Sequence, residues 1–170
     1  MTRLCYLMGR IRRVDVGGYV YHILNRANAR YRIFKYESDF KAFEEVLAES
    51  VDRWKIRLFS YVVMSNHWHL VLQTQSDGDL SRFMQWLTLT HTQRYRTSHD
   101  SVGYGHLYQG RYKSFIIEPE SYFLTVCRYV ERNPLQASLV EKAENWRWSS
   151  LWRRVCGSEK SSIFLSDWPV

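Results

Sequence analysis

His67 and His69, in the string Asn66-His67-Trp68-His69-Leu70, are two imidazoles separated by a single residue. On a β-strand, residues i and i+2 project to the same face, so the pair can chelate one ion while Trp68 and Leu70 turn to the other face and pack. The same spacing also suits two histidines on a solvated sheet face, and a His-x-His string alone does not separate the two readings. Tyr129 and Asn133, in CRYVERNP, are four residues apart, which on a helix stacks a phenol and a carboxamide on one side. Asn133 offers a carbonyl oxygen as a third metal ligand. Two imidazoles and an amide oxygen leave positions open for phosphate oxygens and water, a mixture that suits Mg²⁺ or Mn²⁺, with zinc as a further option.

A free phenol has a pKa near ~10, so a tyrosine attacking a phosphodiester at neutral pH needs help. A divalent ion drawing charge from the phosphate supplies it from the other side. Tyr129 equally fits a half-buried core position, and Tyr112 and Tyr122 are alternative phenols. Tyr122 lies seven residues before Tyr129, about two helical turns away and on much the same face. From the residues alone, only the register with Asn133 favours Tyr129.

The elements that must hold these groups follow from periodicity. The alternating string YVYHIL predicts a strand over residues 19–24 after a Gly17-Gly18 turn, followed by a polar, Arg-rich loop over 25–32. Ser38 is a good N-cap, and DFKAFEEVLAESVDRW then sets Phe40, Phe43, Val46, Leu47 and Val51 at helical spacing. Residues 55–64 and 67–74 read as an antiparallel pair joined at Ser65-Asn66. A helix is expected from Asp79 or Leu80 to about Thr97, with Phe83, Leu87, Thr90 and Arg94 along it. After the loop SVGYGHLYQG comes a strand centred on residues 115–117. The last helix, over 120–132, should stop before Asn133-Pro134, because the residue before a proline disfavours helical geometry. The order β-α-β-β-α-β-α predicts an α+β fold, a ferredoxin-like antiparallel sheet with helices packed on one face.

A chain of 170 residues with 45% hydrophobic residues builds one core. We therefore expect a basic arm over residues 1–16, one domain over 17–152 and a tail over 153–170. Lys and Arg number 24 against 17 Asp and Glu, a net charge of +7 that favours a polyanionic partner. Aromatic residues make up 16% of the chain, enough to spare rings for stacking on unpaired bases. In GHLYQGRYKSF, His106, Gln109, Arg111 and Lys113 can bind phosphate oxygens or an unpaired base. Arg26 and Arg30, the Arg12-Arg13 arm, and Arg147, Arg153 and Arg154 are candidates of the same type, equally explained as ordinary charged surface. Cys5, Cys127 and Cys156 fit neither a disulfide framework nor a zinc knuckle. Free thiols, no secretory signal and no run of membrane-spanning length lead to the expectation of a cytoplasmic protein with no membrane partner.

The strings YVVMSNHWHLVLQT, GHLYQGRYKSF and RYVERNPLQASLV, in this order and spacing, resemble the HUH-type single-tyrosine transposases. Within these the chain is similar to the REP-associated tyrosine transposases, over about residues 17–152. The resemblance implies His67 and His69 as the metal pair on a central strand, Tyr129 as the nucleophile on a late helix, and Asn133 completing the metal site where relatives can use glutamine. It implies DNA contacts at His106, Gln109, Arg111 and Lys113, and a single-stranded or hairpin DNA partner, REP-like in type. A 5′-phosphotyrosine intermediate and a free 3′-hydroxyl follow from the same likeness. Ser65 departs from the proline that often precedes Asn-His, a change expected to alter the turn and spare the ligands. Such transposases work as a monomer or a homodimer.

Two other classes fit parts of the pattern. A non-catalytic single-stranded nucleic-acid-binding domain explains the charge and the rings but leaves the histidine pair and Tyr129-Asn133 idle. A metal-dependent nuclease that uses water explains the histidines and makes Tyr129 structural.

Overall fold

The computed structural model describes residues 14–118, 122–157 and 164–169. Its elements are β1 (Val20–Arg26), α1 (Glu37–Trp54), β2 (Arg57–Val63), β3 (His67–Gln73), α2 (Asp79–Ser98), β4 (Lys113–Ile116), α3 (Phe123–Gln136) and α4 (Ser150–Val155). The four strands form one sheet in the order β2-β3-β1-β4, with every neighbouring pair antiparallel. This is the expected ferredoxin-like α+β sheet.

The helices divide between both faces of the sheet instead of keeping to one. On one face Tyr21, Ile23, Leu58, Tyr61, Trp68, Leu70 and Leu72 pack against Phe40, Phe43, Val46 and Leu47 of α1 and Leu80, Phe83, Met84 and Leu87 of α2. On the other, Phe59, Val62 and Val71 pack against Phe123, Cys127 and Val130 of α3. A bulge in β2 between Leu58 and Ser60 carries Phe59 to this second face. The sheet is thus hydrophobic on both sides, and the unbroken burial of Leu58 to Val63 records it.

Three boundaries differ from expectation for identifiable reasons. α1 begins at Glu37, and the residue closing its entry is Asp39, whose Oδ2 accepts the Lys35 and Tyr36 amides at 2.9 and 3.0 Å; Ser38 is not the cap. β1 extends to Arg26, because Asn25 turns inward and the alternation continues past Leu24. α3 does not stop at Arg132: it runs through Pro134 to Gln136. Proline lacks the N–H that would bond the Val130 carbonyl. The Asn133 amide nitrogen donates instead to Tyr129 O at 2.9 Å and Val130 O at 3.4 Å.

The packed unit also reaches past both ends of the expected 17–152 domain. The Asp15 carboxylate accepts the Leu80 and Ser81 amides at the start of α2, at 3.1 and 2.9 Å. At the other end Arg153 enters a buried network: its Nη2 lies 2.5 Å from Glu44 Oε2, its Nε donates to the Tyr61 hydroxyl, and that hydroxyl donates to Glu44 Oε1 at 2.6 Å. Arg154 donates to Phe59 O at 2.8 Å and lies over the Trp168 ring. Ser166 N bonds Leu58 O at 2.8 Å, so residues after α4 cover the β2 edge of the sheet. Arg153 and Arg154 are therefore structural, and not the phosphate contacts that their charge suggested. Arg12 and Arg13 lie outside the described residues.

Removing one partner of a buried ion pair strands the other charge. Arg153→Leu is expected to lower unfolding free energy by about 3 kcal/mol in urea denaturation, since it leaves the Glu44 carboxylate facing Tyr61. A loss below about 1 kcal/mol, the level of an exposed pair, would show that the network does not anchor α4.

Candidate active site

β3 is buried on the α1/α2 face through Trp68, Leu70 and Leu72, so strand alternation drives His67 and His69 to the α3 face. Their ring centroids are 5.3 Å apart, close enough for both to reach one ion. His67 Nδ1 lies 2.7 Å from Asn66 Oδ1. An amide oxygen only accepts, so His67 carries its proton on Nδ1 and keeps a lone pair on Nε2. His69 Nδ1 lies 2.9 Å from His22 Nε2 of β1, which likewise leaves His69 Nε2 outside that contact.

α3 brings Tyr129 to the same place. Its ring meets His69 edge-on at 5.9 Å and His22 at 6.0 Å between centroids, and 46% of the residue remains exposed. The other two tyrosines stand elsewhere. Tyr112 is buried in the α1/α2 core, and Tyr122, 58% exposed, precedes the first residue of α3, about 10 Å back along the helix axis. Asn133 sits one turn beyond Tyr129, and no hydrogen bond links it to either histidine. With its amide nitrogen held by Tyr129 O and Val130 O, its Oδ1 has no protein partner among the described residues.

The donor set fits a metal ion. Both histidines are oriented through Nδ1, and an amide oxygen stands free on the neighbouring helix. Among the described residues no third His, Cys, Asp or Glu completes a ligand cluster. Remaining positions would fall to Asn133, water or a phosphate.

Burial keeps these imidazoles neutral. Desolvation is the main cause in each case: it lowers His69 to about 3, with the charges of His22, His67 and Arg26 adding to it, and lowers His67 to about 4, helped by Arg26. His22 is also lowered, by burial.

α3 covers the β2–β3 half of this face, and among the described residues the β1–β4 half is left open. Arg26 pairs directly with His67 across β1 and β3, and its Nε is buried with no hydrogen-bond partner among the described residues. Lys113 pairs with Leu24, and Phe115, 53% exposed, pairs with His22 at 6.2 Å between rings. The open strip thus offers two cations and one bare aromatic ring beside the histidines and the phenol.

The other expected contacts lie apart from this strip. His106, Gln109 and Arg111 line a cleft of about 1050 Å³ between α2 and residues 104–112, together with Asn25, Gln85, Thr88 and Tyr104. Arg30 adopts φ 57°, and its carbonyl accepts the Asn66 amide nitrogen at 3.3 Å, which ties the loop after β1 to the His67 turn. Arg147 stacks over Trp148 and Trp152, away from the histidines. The residue that sequence reasoning missed is His22. Its strand and its place opposite Tyr21 in the alternation were readable; the pairing that sets it diagonally beside His69 was not.

The description "Transposase IS200 like" matches residues 15–133, from the Asp15 cap of α2 to Asn133. A solved REP-associated tyrosine transposase bound to a REP hairpin has a similar fold, with a TM-score of 0.71 and 17% identity over 87% of this chain and 86% of that one. A crystallised candidate transposase from Deinococcus radiodurans R1 is similar over 73% of this chain and 95% of its own, with a TM-score of 0.51 and 17% identity. No curated protein sequence matches the chain.

A histidine whose folded pKa lies below its unfolded value binds fewer protons when folded, so its contribution to stability is complete above the unfolded value near 6.5 and is lost as pH falls. The metal-free protein should therefore lose stability in urea as pH drops from about 6.5 toward 4. By NMR, the His67 and His69 rings should titrate near about 4 and about 3; a midpoint near 6.5 for both would mean that the pocket is wet and open.

Proposed function

The chain belongs to the IS200-like transposase family, and from that membership and the geometry of the histidines we propose that it cuts and rejoins single-stranded DNA with Tyr129 as nucleophile. The observation that carries this reading is the Tyr129 ring, half-exposed and within 6.0 Å of both His69 and His22, while Tyr112 is buried on the other face and Tyr122 precedes the helix. His67 and His69, with Asn133 as the third ligand, would hold Mg²⁺ or Mn²⁺. Bound there, the ion would draw charge from a non-bridging phosphate oxygen and orient the phosphate.

The chain's own groups do the remainder. The phenol oxygen of Tyr129 attacks phosphorus and gives up its proton, a new P–O bond forms, and the 3′-oxygen leaves and is protonated to a 3′-hydroxyl. The product is a 5′-phosphotyrosyl enzyme, which retains the phosphoester energy. A second 3′-hydroxyl attacks it, restores the phenol and joins new ends without ATP. Arg26, with an unpartnered Nε beside the histidines, would clamp the scissile phosphate. Lys113 holds a neighbouring phosphate and Phe115 stacks a base. His106, Gln109 and Arg111 receive a flanking stretch in their cleft, and Arg30, exposed on the loop tied to Asn66, offers a further phosphate contact.

The fold shared with a transposase solved on a REP hairpin supports hairpin-forming repeat DNA as substrate and the REP-associated branch as the nearer kin. Among the described residues no helix is long and apolar enough to cross a membrane. We read the protein as cytoplasmic, acting as a monomer or a homodimer.

Incubation with labelled single-stranded hairpin DNA and Mg²⁺ or Mn²⁺, followed by denaturing electrophoresis, tests the reading. The native chain and Tyr122→Phe should form a covalent adduct; Tyr129→Phe should form none. Cleavage without any adduct would instead favour a water-using nuclease, and binding without cleavage a non-catalytic domain. His67→Ala and His69→Ala should abolish cleavage and retain DNA binding. Gln109→Ala and Arg111→Ala should each weaken hairpin binding by roughly 10-fold, within the range of one lost polar contact to a base.

A further inference from the structure

β1 brings a third imidazole to the histidine pair. His22 Nε2 stands 2.9 Å from His69 Nδ1, and the two rings lie 13° from parallel with centroids 5.2 Å apart. A nitrogen-to-nitrogen contact that short between near-parallel rings is an edge-on hydrogen bond in the common plane, not a face-to-face stack. One proton sits between the two nitrogens, so one ring donates and the other accepts.

Which ring donates is decided by what His69 must do. Coordination through Nε2 requires a lone pair on that atom, which sends the ring's proton to Nδ1 and makes His22 Nε2 the acceptor. We propose that His22 is a positioning residue for the metal site: it accepts the His69 Nδ1 proton and so holds His69 in the one tautomer and ring orientation that present Nε2 to the ion. The inference rests on the metal reading above.

Asn66 does the same for His67 from the other side, through an Oδ1 contact of 2.7 Å to Nδ1. Each ligand is therefore oriented by an acceptor at the same atom. Asn66 comes from the adjacent residue on the same segment, and His22 from a neighbouring strand. Outer acceptors of this kind are commonly carboxylates or carbonyls, and their removal typically costs 10- to 100-fold in metal affinity. His22 is itself wedged between the Phe115 and Tyr129 rings, at 6.2 and 6.0 Å, which fixes the orientation that it passes on. It adds no negative charge.

Two measurements on the full chain test the role. Long-range ¹H–¹⁵N NMR of the metal-free native protein at pH 7 should find His69 protonated at Nδ1 and bare at Nε2. Titration with Mn²⁺ alone should give a dissociation constant that rises by roughly 10- to 100-fold in His22→Leu and returns to within about 3-fold of native in His22→Gln, whose Oε1 can replace the lost acceptor. In His22→Leu the His69 ring should shift toward the Nε2-protonated form. A folded His22→Leu that binds Mn²⁺ within about 2-fold of native overturns the proposal. So does a native His69 that carries its proton on Nε2, a result that needs no variant to fold. Native protein that holds His69 in the Nδ1 form yet binds no Mn²⁺ overturns the metal reading and leaves the His22–His69 bond standing.

Discussion

The pairing register between β1 and β3 is the constraint on which the site depends. Leu24 faces His69 and Arg26 faces His67 in that register, and His22 then falls diagonally beside His69. A slip of one residue would send every side chain of β1 to the opposite face. His22 and Arg26 would enter the core, and Tyr21 and Ile23 would meet the histidines. The register is fixed from the other side of the sheet. Trp68, between the two histidines, is fully buried, and its indole N–H donates to the Tyr108 hydroxyl at 3.1 Å, which in turn lies 2.7 Å from His91 Nδ1. The buried face thus places the two histidines by anchoring the residue between them.

α3 supplies the second half of the arrangement because it covers only half of its face. Its apolar residues, Phe123, Cys127 and Val130, seat it on β2 and β3, and Tyr129 then stands at the margin where the cover ends. A helix lying farther across would close the strip of Arg26, Lys113 and Phe115. One set farther back would carry the phenol away from His69. Asn133 stabilises the helix through Pro134 with its amide nitrogen and keeps its oxygen free. The same carboxamide thus holds the last turn with its nitrogen and leaves its oxygen without a protein partner among the described residues.

Local periodicity paired His67 with His69 and Tyr129 with Asn133, since spacings of two on a strand and four on a helix need no knowledge of what lies across the sheet; preferring Tyr129 over Tyr122 drew on the resemblance as well. His22 was invisible for the opposite reason. It shares the site with His69 through a pairing forty-seven positions away, and no local pattern states a register. Arg153 misled because a sequence displays a charge without its partner: Glu44 lies on α1, and the ion pair closes only when α4 docks. α3 outran its proline because a side-chain amide replaced the missing backbone donor, an exchange that rules about proline do not include. The division of helices between two faces was hidden similarly, since α1, α2 and α3 are all amphipathic and amphipathicity does not say which face receives them.

Three neutral imidazoles and one arginine meet at the site, and among the described residues no carboxylate is hydrogen-bonded to any of the three. In the proposed reading, an ion held by two imidazoles and an amide keeps its full double charge, and Arg26 adds another. Such a pocket is poorly compensated until an anion enters it. A phosphodiester brings the missing negative charge and the missing oxygen ligands together. Protein carboxylates in the ligand shell would bind the ion more tightly but would also spend the field that the phosphate needs. The neutral acceptors Asn66 and His22, which orient both ligands without adding charge, serve the same end: the substrate itself finishes the site.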